Sequence, residues 1–347
     1  MTPKAQRVYL DHNATAPLRA EARAAMIAAM DVVGNPSSVH AEGRAATGVV
    51  ERARAQVAEA VGCKPQEVIF TSGATEAAQV LGAYSVDVDA TAHDALWAQA
   101  GRKSGSAGTI HAMGLANSET GIITEPLPLA DRGADLLMLD VTQAIGRIPF
   151  SFAWSAVDMA ILSAHKLGGP KGIGALILRQ GIDIPALSTG GGQEMGRRSG
   201  TENVIGIAGF GAAIEAAMRD LESGVWEKTE KLRNILELAI EESVNKTIFV
   251  GKSQRRLPNT SCILSDGWKG ETQVMQMDLA GFAISVGSAC SSGKVKTSRV
   301  LKAMGFSDSE AGCAIRVSLG PETTEDEISR FAQAWLERLH KHRARAA

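Results

Sequence analysis

Compact apolar runs alternate with alanine-rich helical segments through the first two thirds of this 347-residue chain. The runs with the length and composition of buried strands are VIFT, DLLMLDVTQ, DMAILSAHK and GALILR. The segments EARAAMIAAM and GRAATGVVERARAQVAEAVG have the periodicity of amphipathic helices. Strands and helices that alternate in this way predict an α/β domain, whose mainly parallel sheet is covered by helices on both faces.

The pattern changes near residue 224. A charged helical stretch, VWEKTEKLRNILELAIEES, leads to two short strand-like segments, NTSCILS and FAISVGSAC. A final amphipathic helix, EDEISRFAQAWLERLHKHRARA, follows them. This change predicts a second, smaller α+β domain in the C-terminal part of the chain.

The composition excludes several classes of protein. Hydrophobic residues make up 45% and charged residues 21% of the chain, as in ordinary soluble globular proteins. A formal net charge of -2 gives no general attraction to nucleic acid or to an anionic membrane, so a small-molecule substrate or a protein partner is favoured. No stretch is apolar enough for a signal core or a membrane span.

The cysteine content indicates the compartment. The four cysteines form no CxxC pair and are too sparse for a disulfide scaffold or a structural zinc site. This usage is typical of a reducing cytosol. We therefore expect a cytoplasmic protein without a metal site.

Polar residues follow the predicted strands at their carboxyl ends. They are Asp140, Gln143, Ser163, His165 and Lys166. In open sheets of this kind, ligands bind beyond the carboxyl ends of the strands. The sequence therefore predicts a ligand site at this edge of the sheet.

Lys166 stands where an apolar run ends and a glycine-rich turn begins. A lysine at the rim of a sheet is partly desolvated, which lowers its pKa and lets its amine form a Schiff base with a carbonyl cofactor. Most lysines after strands are ordinary surface residues, so this signal alone is weak. Asp140 also has two interpretations: a carboxylate beside a pyridinium nitrogen, or the N-cap of a helix over TQAIG.

Two further features of the sequence are compatible with a bound cofactor. Residues 72–75 lead from a predicted strand into a helix, where backbone N–H groups and the helix dipole can hold a phosphate. An ordinary turn before a helix would have the same sequence pattern. His93, in TAHDAL, has the ring to stack on a planar cofactor or to shuttle protons, but an isolated histidine of this kind is more often a surface residue.

Cys290 lies among small residues in SVGSACSSGKVKTS. Glycine and serine neighbours predict a solvent-reachable loop, and Lys294 and Lys296 favour the thiolate, which is the nucleophilic form of cysteine. The alternative is a free cysteine that happens to lie in a loop.

In this order and spacing, the motifs resemble the cysteine desulfurases of the aminotransferase class V family, in the long-loop subgroup with a GSAC motif. The similar segments are YLDHNAT, GNPSSVHAEGR, FTSGATE, LDVTQAIG, SAHKLGGPKGIGAL, GGGQEMGRRSGTEN, VGSACSS and IRVSLG. The resemblance implies the fold type I of transferases that depend on pyridoxal 5'-phosphate (PLP). It also implies a large PLP-binding domain at 14–223 and a small domain at 1–13 and 224–347, which carries the catalytic cysteine.

The resemblance further implies roles for the matched residues. Lys166, His93 and Cys290 would be catalytic, and Lys166 would form the Schiff base with PLP. The other implied cofactor contacts are Asp140 at the pyridine nitrogen, Gln143 at the ring hydroxyl, His93 on the ring, and Ala74, Thr75, Ser163, His165 and Thr201 at the phosphate. Thr201 would come from the partner subunit of a homodimer.

Arg316 would bind the substrate carboxylate, because its planar guanidinium matches a carboxylate. Ser118 stands where the family usually has an asparagine that orients the substrate. A serine is shorter, so a direct contact is lost or replaced by water. The stretch from Tyr84 to Asp140 is also shorter than is usual in the family.

The implied reaction converts L-cysteine to L-alanine and leaves sulfur on Cys290 as a persulfide. An acceptor protein in iron-sulfur cluster assembly or tRNA thiolation would take this sulfur. The alternatives are a related activity, such as selenocysteine lyase or aminotransferase, and an inactive dimeric scaffold in a sulfur-transfer complex. The remaining cysteines, Cys63, Cys262 and Cys313, are interpreted as packing residues.

Overall fold

The structure is a computed structural model, and it describes residues 7–102, 108–126, 128–133, 135–244, 247–287 and 297–346. The chain divides into two compact units. The large unit comprises residues 15–116 and 124–223, and the small unit comprises residues 1–14, 117–123 and 224–347. Residues 117–123 thus belong to the small unit, whereas the sequence pattern leaves them in the large domain.

In chain order, the strands are β1 (Val8–Tyr9), β2 (Val68–Thr71), β3 (Ser85–Val88), β4 (Thr109–Gly114), β5 (Leu136–Asp140), β6 (Met159–Ser163), β7 (Gly174–Leu178), β8 (Thr247–Phe249), β9 (Thr260–Ser265), β10 (Phe282–Ala283), β11 (Ser285–Val286) and β12 (Ala314–Ser318). The α-helices are α1 (Ala20–Met30), α2 (Ala41–Val61), α3 (Ala74–Ala77), α4 (Asp94–Trp97), α5 (Leu129–Arg132), α6 (Val204–Glu222), α7 (Val225–Ser243), α8 (Gly270–Leu279), α9 (Arg299–Ala303), α10 (Asp308–Ala311) and α11 (Glu325–Ala346). Short 3-10 helices cover Pro65–Glu67, Ala78–Ala83, Ala164–Lys166 and Glu194–Gly196. None of the helices that the structure describes is long and apolar enough to cross a membrane.

The large unit contains a six-stranded sheet with the order β2-β7-β6-β5-β4-β3. Strands β3 to β6 are parallel, and β7 runs antiparallel to both of its neighbours. Every residue of β6 and β7 is buried, which shows that both faces of the sheet are covered there. The predicted α/β fold with a mainly parallel sheet is confirmed.

Three long helices pack together in the large unit, with α6 against both α1 and α2. Helix α2 begins where His40 accepts a hydrogen bond from the backbone N–H of Gly43. It ends at Gly62, whose φ of 72° gives the left-handed conformation common at helix C-termini. The buried side chains of α6 are mostly alanine, glycine and isoleucine, which allow close approach of the neighbouring helices.

One edge of the sheet collects the carboxyl ends of β2, β5 and β6. Because β7 is antiparallel, it begins at this edge, and Gly174 lies opposite both Thr71 and Ser163. A Cβ atom on Gly174 would lie 2.7 Å from the Cα of Gly73. Glycine at this position therefore lets the backbone after β2 approach β7.

The helices described between β3 and β5 are short. Both α4 and α5 have four residues. The shortened segment noted in the sequence thus contributes little helix to the described part of the large unit. Its strands, β4 and β5, are nevertheless paired in parallel register.

The small unit has its own core. An antiparallel sheet with the order β11-β12-β9-β8 packs with helices α7, α8 and α11 around a cluster that includes Trp268, Phe331 and Trp335. The N-terminal strand β1 pairs in parallel with β10, so that Val8 lies opposite Phe282. The first residues of the chain therefore complete a unit built mainly from its C-terminal part.

Candidate active site

Lys166 and His165 lie together in the 3-10 turn that follows β6. Burial, followed by the charges of Lys166 and Lys171, lowers the pKa of His165 to about 4. The imidazole is therefore neutral near pH 7. Its Nδ1 lies 3.2 Å from the hydroxyl of Thr15. When this hydroxyl donates to Nδ1, the Nε2–H of His165 is a donor for an anionic ligand.

Asp140 ends β5 and is 8% exposed. One of its carboxylate oxygens accepts a hydrogen bond of 2.9 Å from the backbone N–H of Thr142. Residues 142–147 form turns and not a helix, so the alternative interpretation of Asp140 as a helix N-cap is wrong. The hydroxyl of Thr142 is buried and has no hydrogen-bond partner within the part of the chain that the structure describes. A buried polar atom without a partner is unfavourable unless a ligand or water satisfies it.

Gln143 and Arg147 form a buried pair close to Lys166. Arg147 donates to Oε1 of Gln143 at 2.6 Å and to the backbone carbonyl of Lys166 at 2.9 Å. The first contact fixes the amide orientation of Gln143, so that its NH2 group is the end that can donate to a ligand.

The turn after β2 lies against the end of β6. The backbone N–H of Ala74 donates to the hydroxyl of Ser163 at 2.8 Å. The N–H of Ser72 donates to the carboxylate of Glu76 at 2.7 Å. Thr75 is exposed at the start of α3. The N–H of Gly73 donates to the hydroxyl of Thr71 at 3.3 Å, so three N–H groups in this turn are bonded to side chains. The hydroxyls of Ser163 and Thr75 can serve as donors to a phosphate.

The structure places His93 and Thr201 on other segments of the large unit. His93 is partly buried at the N-terminus of α4, where its Nδ1 accepts a 3.1 Å hydrogen bond from the N–H of Ala95. This capping role was not predicted from the sequence. Thr201 is exposed in the segment that precedes α6.

Arg316 belongs to the small unit, in the middle of β12, and is 2% exposed. Its Nη2 donates to Asp11 at 2.7 Å, and its Nη1 donates to the backbone carbonyl of Ser118 at 3.2 Å. Its Nε is buried and has no hydrogen-bond partner among the described residues. Asn13 also donates to the Ser118 carbonyl, at 3.1 Å. Ser118 therefore meets Arg316 through its backbone.

Cys290 lies outside the described residues. Burial raises the pKa of the thiols of Cys63 and Cys262 to about 12, and it also raises the pKa of Cys313. None of the three takes part in a disulfide. They are protonated at neutral pH, which agrees with their interpretation as packing residues.

Sequence reasoning missed three residues at these sites. Arg147 comes four positions after Gln143 in QAIGR, Asp11 lies within the matched segment YLDHNAT, and Thr15 ends that segment. The membership of Asp11 and Thr15 in a matched motif was a usable signal. Arg147 had none, because its partners lie on two separate turns.

The residues at the carboxyl edge of the large unit fit PLP chemically. They offer an amine for its aldehyde, a carboxylate for its pyridinium nitrogen, and hydroxyl and imidazole donors for its phosphate. The unpartnered hydroxyl of Thr142 beside Asp140 is the structural observation that points to a polar ligand there.

Comparison with known proteins identifies the family of the chain. The family model described as aminotransferase class-V matches residues 8–99 and 107–331. A cysteine desulfurase from Cereibacter sphaeroides is 38% identical, with 94% of each chain covered, and one from Frankia sp. is 37% identical, with 92% of this chain and 88% of the relative covered. The solved structure of a NifS-like protein from Rickettsia africae superposes with a TM-score of 0.87 at 29% identity, covering 97% of this chain and all of that one.

The chain therefore belongs to the aminotransferase class-V family, whose members depend on PLP. Within the family it is a cysteine desulfurase, as its curated relatives are.

Proposed function

We propose that this enzyme converts L-cysteine to L-alanine and transfers the sulfur to Cys290. The observation that carries the proposal is the set of groups at one edge of the large-unit sheet. The amine of Lys166 follows β6, the carboxylate of Asp140 ends β5, and the Ser163 hydroxyl contacts the turn after β2.

Bound PLP would supply an electron sink for the electrons released from the substrate α-carbon. Lys166 would hold PLP through its amine and move the proton that leaves the α-carbon. Asp140 would hold the charge on the ring nitrogen, Gln143 would donate to the ring hydroxyl, and His93 would stack on the ring. The phosphate would be bound by Ala74, Thr75, Ser163, His165 and the partner subunit's Thr201, in a homodimer.

Arg316 would bind the carboxylate of L-cysteine. Its unpartnered Nε supports this role, because a buried guanidinium N–H without an acceptor favours an anionic ligand. Ser118 would position Arg316 through its backbone carbonyl. The thiolate of Cys290 would then attack the substrate sulfur. A sulfur–sulfur bond forms, the carbon–sulfur bond breaks, and its electron pair returns to the carbon that becomes the methyl group of alanine.

The persulfide on Cys290 would be passed to an acceptor protein for iron-sulfur cluster assembly or tRNA thiolation. We place this reaction in the cytoplasm. The three described cysteines are all free, as is usual in a reducing compartment.

The test is production of alanine and sulfide from L-cysteine with a reductant, alongside the absorbance of bound PLP. The Cys290→Ala variant should keep the absorbance and lose both products, whereas Cys63→Ala, at a cysteine with a raised pKa, should keep the activity. Pyruvate or another keto acid as the main product would indicate an aminotransferase. If PLP is bound but no product forms, the protein would be the inactive dimeric scaffold of a sulfur-transfer complex.

A further inference from the structure

Asp11 bridges two neighbouring strands of the small unit. Its Oδ1 accepts from Nη2 of Arg316, and its Oδ2 accepts from the hydroxyl of Ser285, each at 2.7 Å. Ser285 lies directly opposite Arg316 in the β11–β12 register. The side chains of Arg316 and Asp11 are only 2% and 16% exposed. The ion pair is therefore shielded from solvent, and its charges are only weakly screened.

Asp11 occupies half of one edge of the guanidinium. Nε and Nη2 form the edge that binds a carboxylate with two parallel hydrogen bonds. Asp11 contacts this edge at Nη2 alone, because its second oxygen is turned to Ser285. No described residue accepts a hydrogen bond from Nε, and Nη1 is bonded to the Ser118 carbonyl. A ligand carboxylate that reaches Nε would have to share Nη2 with Asp11.

Two carboxylates on one guanidinium repel each other. The second carboxylate therefore binds more weakly than it would to an uncompensated arginine. This matters for turnover because substrate and product carry the same carboxylate. A clamp that bound it too tightly would retain L-alanine and slow product release.

We propose that Asp11 is a positioning residue that sets the affinity of Arg316 for the α-carboxylate, and keeps it low enough for the product to leave. This inference rests on the proposed role of Arg316 as the carboxylate clamp. Asp11 thereby acts on specificity without touching the reacting atoms.

The experiment compares ligand binding to the PLP-loaded parent enzyme and to PLP-loaded Asp11→Asn. Binding is measured by the change in absorbance of bound PLP. L-alanine carries the carboxylate, and cysteamine lacks it. The dissociation constant for L-alanine should fall about tenfold in Asp11→Asn, a change of roughly 1.4 kcal/mol, and that for cysteamine should stay the same. Asp11→Glu keeps the negative charge, so it should bind L-alanine as weakly as the parent enzyme does. Asp278→Asn removes an exposed carboxylate from the same unit and controls for net charge.

Equal or weaker alanine binding in Asp11→Asn would overturn the inference, because it would mean that Asp11 only holds Arg316 in place. Asp11→Ser provides a second neutral variant if the asparagine variant does not fold. Arg316→Lys tests the clamp separately: it should weaken alanine and leave cysteamine unchanged. If Arg316→Lys changes neither, the proposed role of Arg316 fails. If it weakens alanine while Asp11→Asn changes nothing, only the inference about Asp11 fails.

Discussion

The guanidinium of Arg147 donates to the backbone carbonyl of Lys166 at 2.9 Å, although 19 residues separate them in the chain. Through its other nitrogen, Arg147 also orients Gln143. It thus joins two turns that carry proposed PLP contacts, while it is itself only 4% exposed.

Replacing Arg147 with methionine should lower the free energy of unfolding by about 2–4 kcal/mol, because one buried acceptor and one partly buried acceptor lose a charged donor. PLP affinity should fall as well, since Gln143 loses its fixed orientation. Urea unfolding and PLP titration measure the two effects. Arg219→Met, at an exposed arginine, is the control and should change stability by less than about 0.5 kcal/mol. Equal effects of the two substitutions would contradict this role of Arg147.

Glu194 and Arg54 form a buried ion pair with two parallel hydrogen bonds of 2.8 Å. Glu194 also accepts from the backbone N–H of Phe70 at 2.9 Å. Glu194→Gln should cost about 3–5 kcal/mol of unfolding free energy, because Arg54 then loses its buried countercharge and keeps only Glu51, whose side chain is half exposed.

A double-mutant cycle with Arg54→Met separates the interaction from other effects of each substitution. In the double variant the buried charge of Arg54 is removed as well, so part of the lost stability should return. Glu215→Gln, an exposed carboxylate, serves as the control. If the stability loss of the double variant equals the sum of the losses of the two single variants, the ion pair contributes no coupling energy.

The elements of the fold were predicted well where local pattern decides them. The buried strands β2, β5, β6 and β7 come from apolar runs, and the residues at their ends follow from strand direction. FAISVGSAC, by contrast, was predicted as one strand. Over residues 282–287, the part of this segment that the structure describes, there are two short strands, because Phe282–Ala283 pairs with β1 and Ser285–Val286 pairs with β12.

The polar contacts of the sites were less predictable. Residues 117–123 join the small unit through long-range contacts such as the bridge between Ile122 and Arg256, which leaves no local periodicity. The pairing of Asp11 with Arg316 spans 305 residues. Such contacts depend on tertiary packing, and a single sequence does not encode them in any nearby motif.

Gly174→Ala should disturb the turn that follows β2. The new Cβ would clash with the carbonyl oxygen of Leu162 in β6 and lie 2.7 Å from the Cα of Gly73, so the backbone must shift. We expect a loss of about 1–3 kcal/mol in the free energy of unfolding, together with weaker PLP binding. Gly48→Ala is the control, because a Cβ there meets no atom within 4 Å. Because Gly48 lies in the middle of helix α2, Gly48→Ala should raise the free energy of unfolding by roughly 0.5–1 kcal/mol. Unchanged PLP affinity in Gly174→Ala would contradict the proposed phosphate contact of this turn.

His165 should make the apoprotein sensitive to acid. Its pKa of about 4 in the folded state is below the ordinary value of 6.5, so the unfolded chain binds the proton more readily. The stability that this difference provides is complete above about pH 6.5 and is lost as the pH falls through about 4. Between pH 7 and pH 4.5, the urea midpoint of the parent apoprotein should therefore fall further than the urea midpoint of His165→Gln. Parallel losses in both proteins would mean that another group is responsible.

The pairing of β1 with β10 sets an order of events on the ribosome. Residues 15–223 hold the whole large unit and are made before residues 224–347 of the small unit, so the groups at its carboxyl edge can assemble while synthesis continues. Val8 has to wait for Phe282, and at typical rates of translation this takes roughly 15 to 55 s. A ribosome stalled between residues 223 and 282 would therefore hold a chain in which all residues of the large unit have been made, while β1 still lacks β10 as its partner strand.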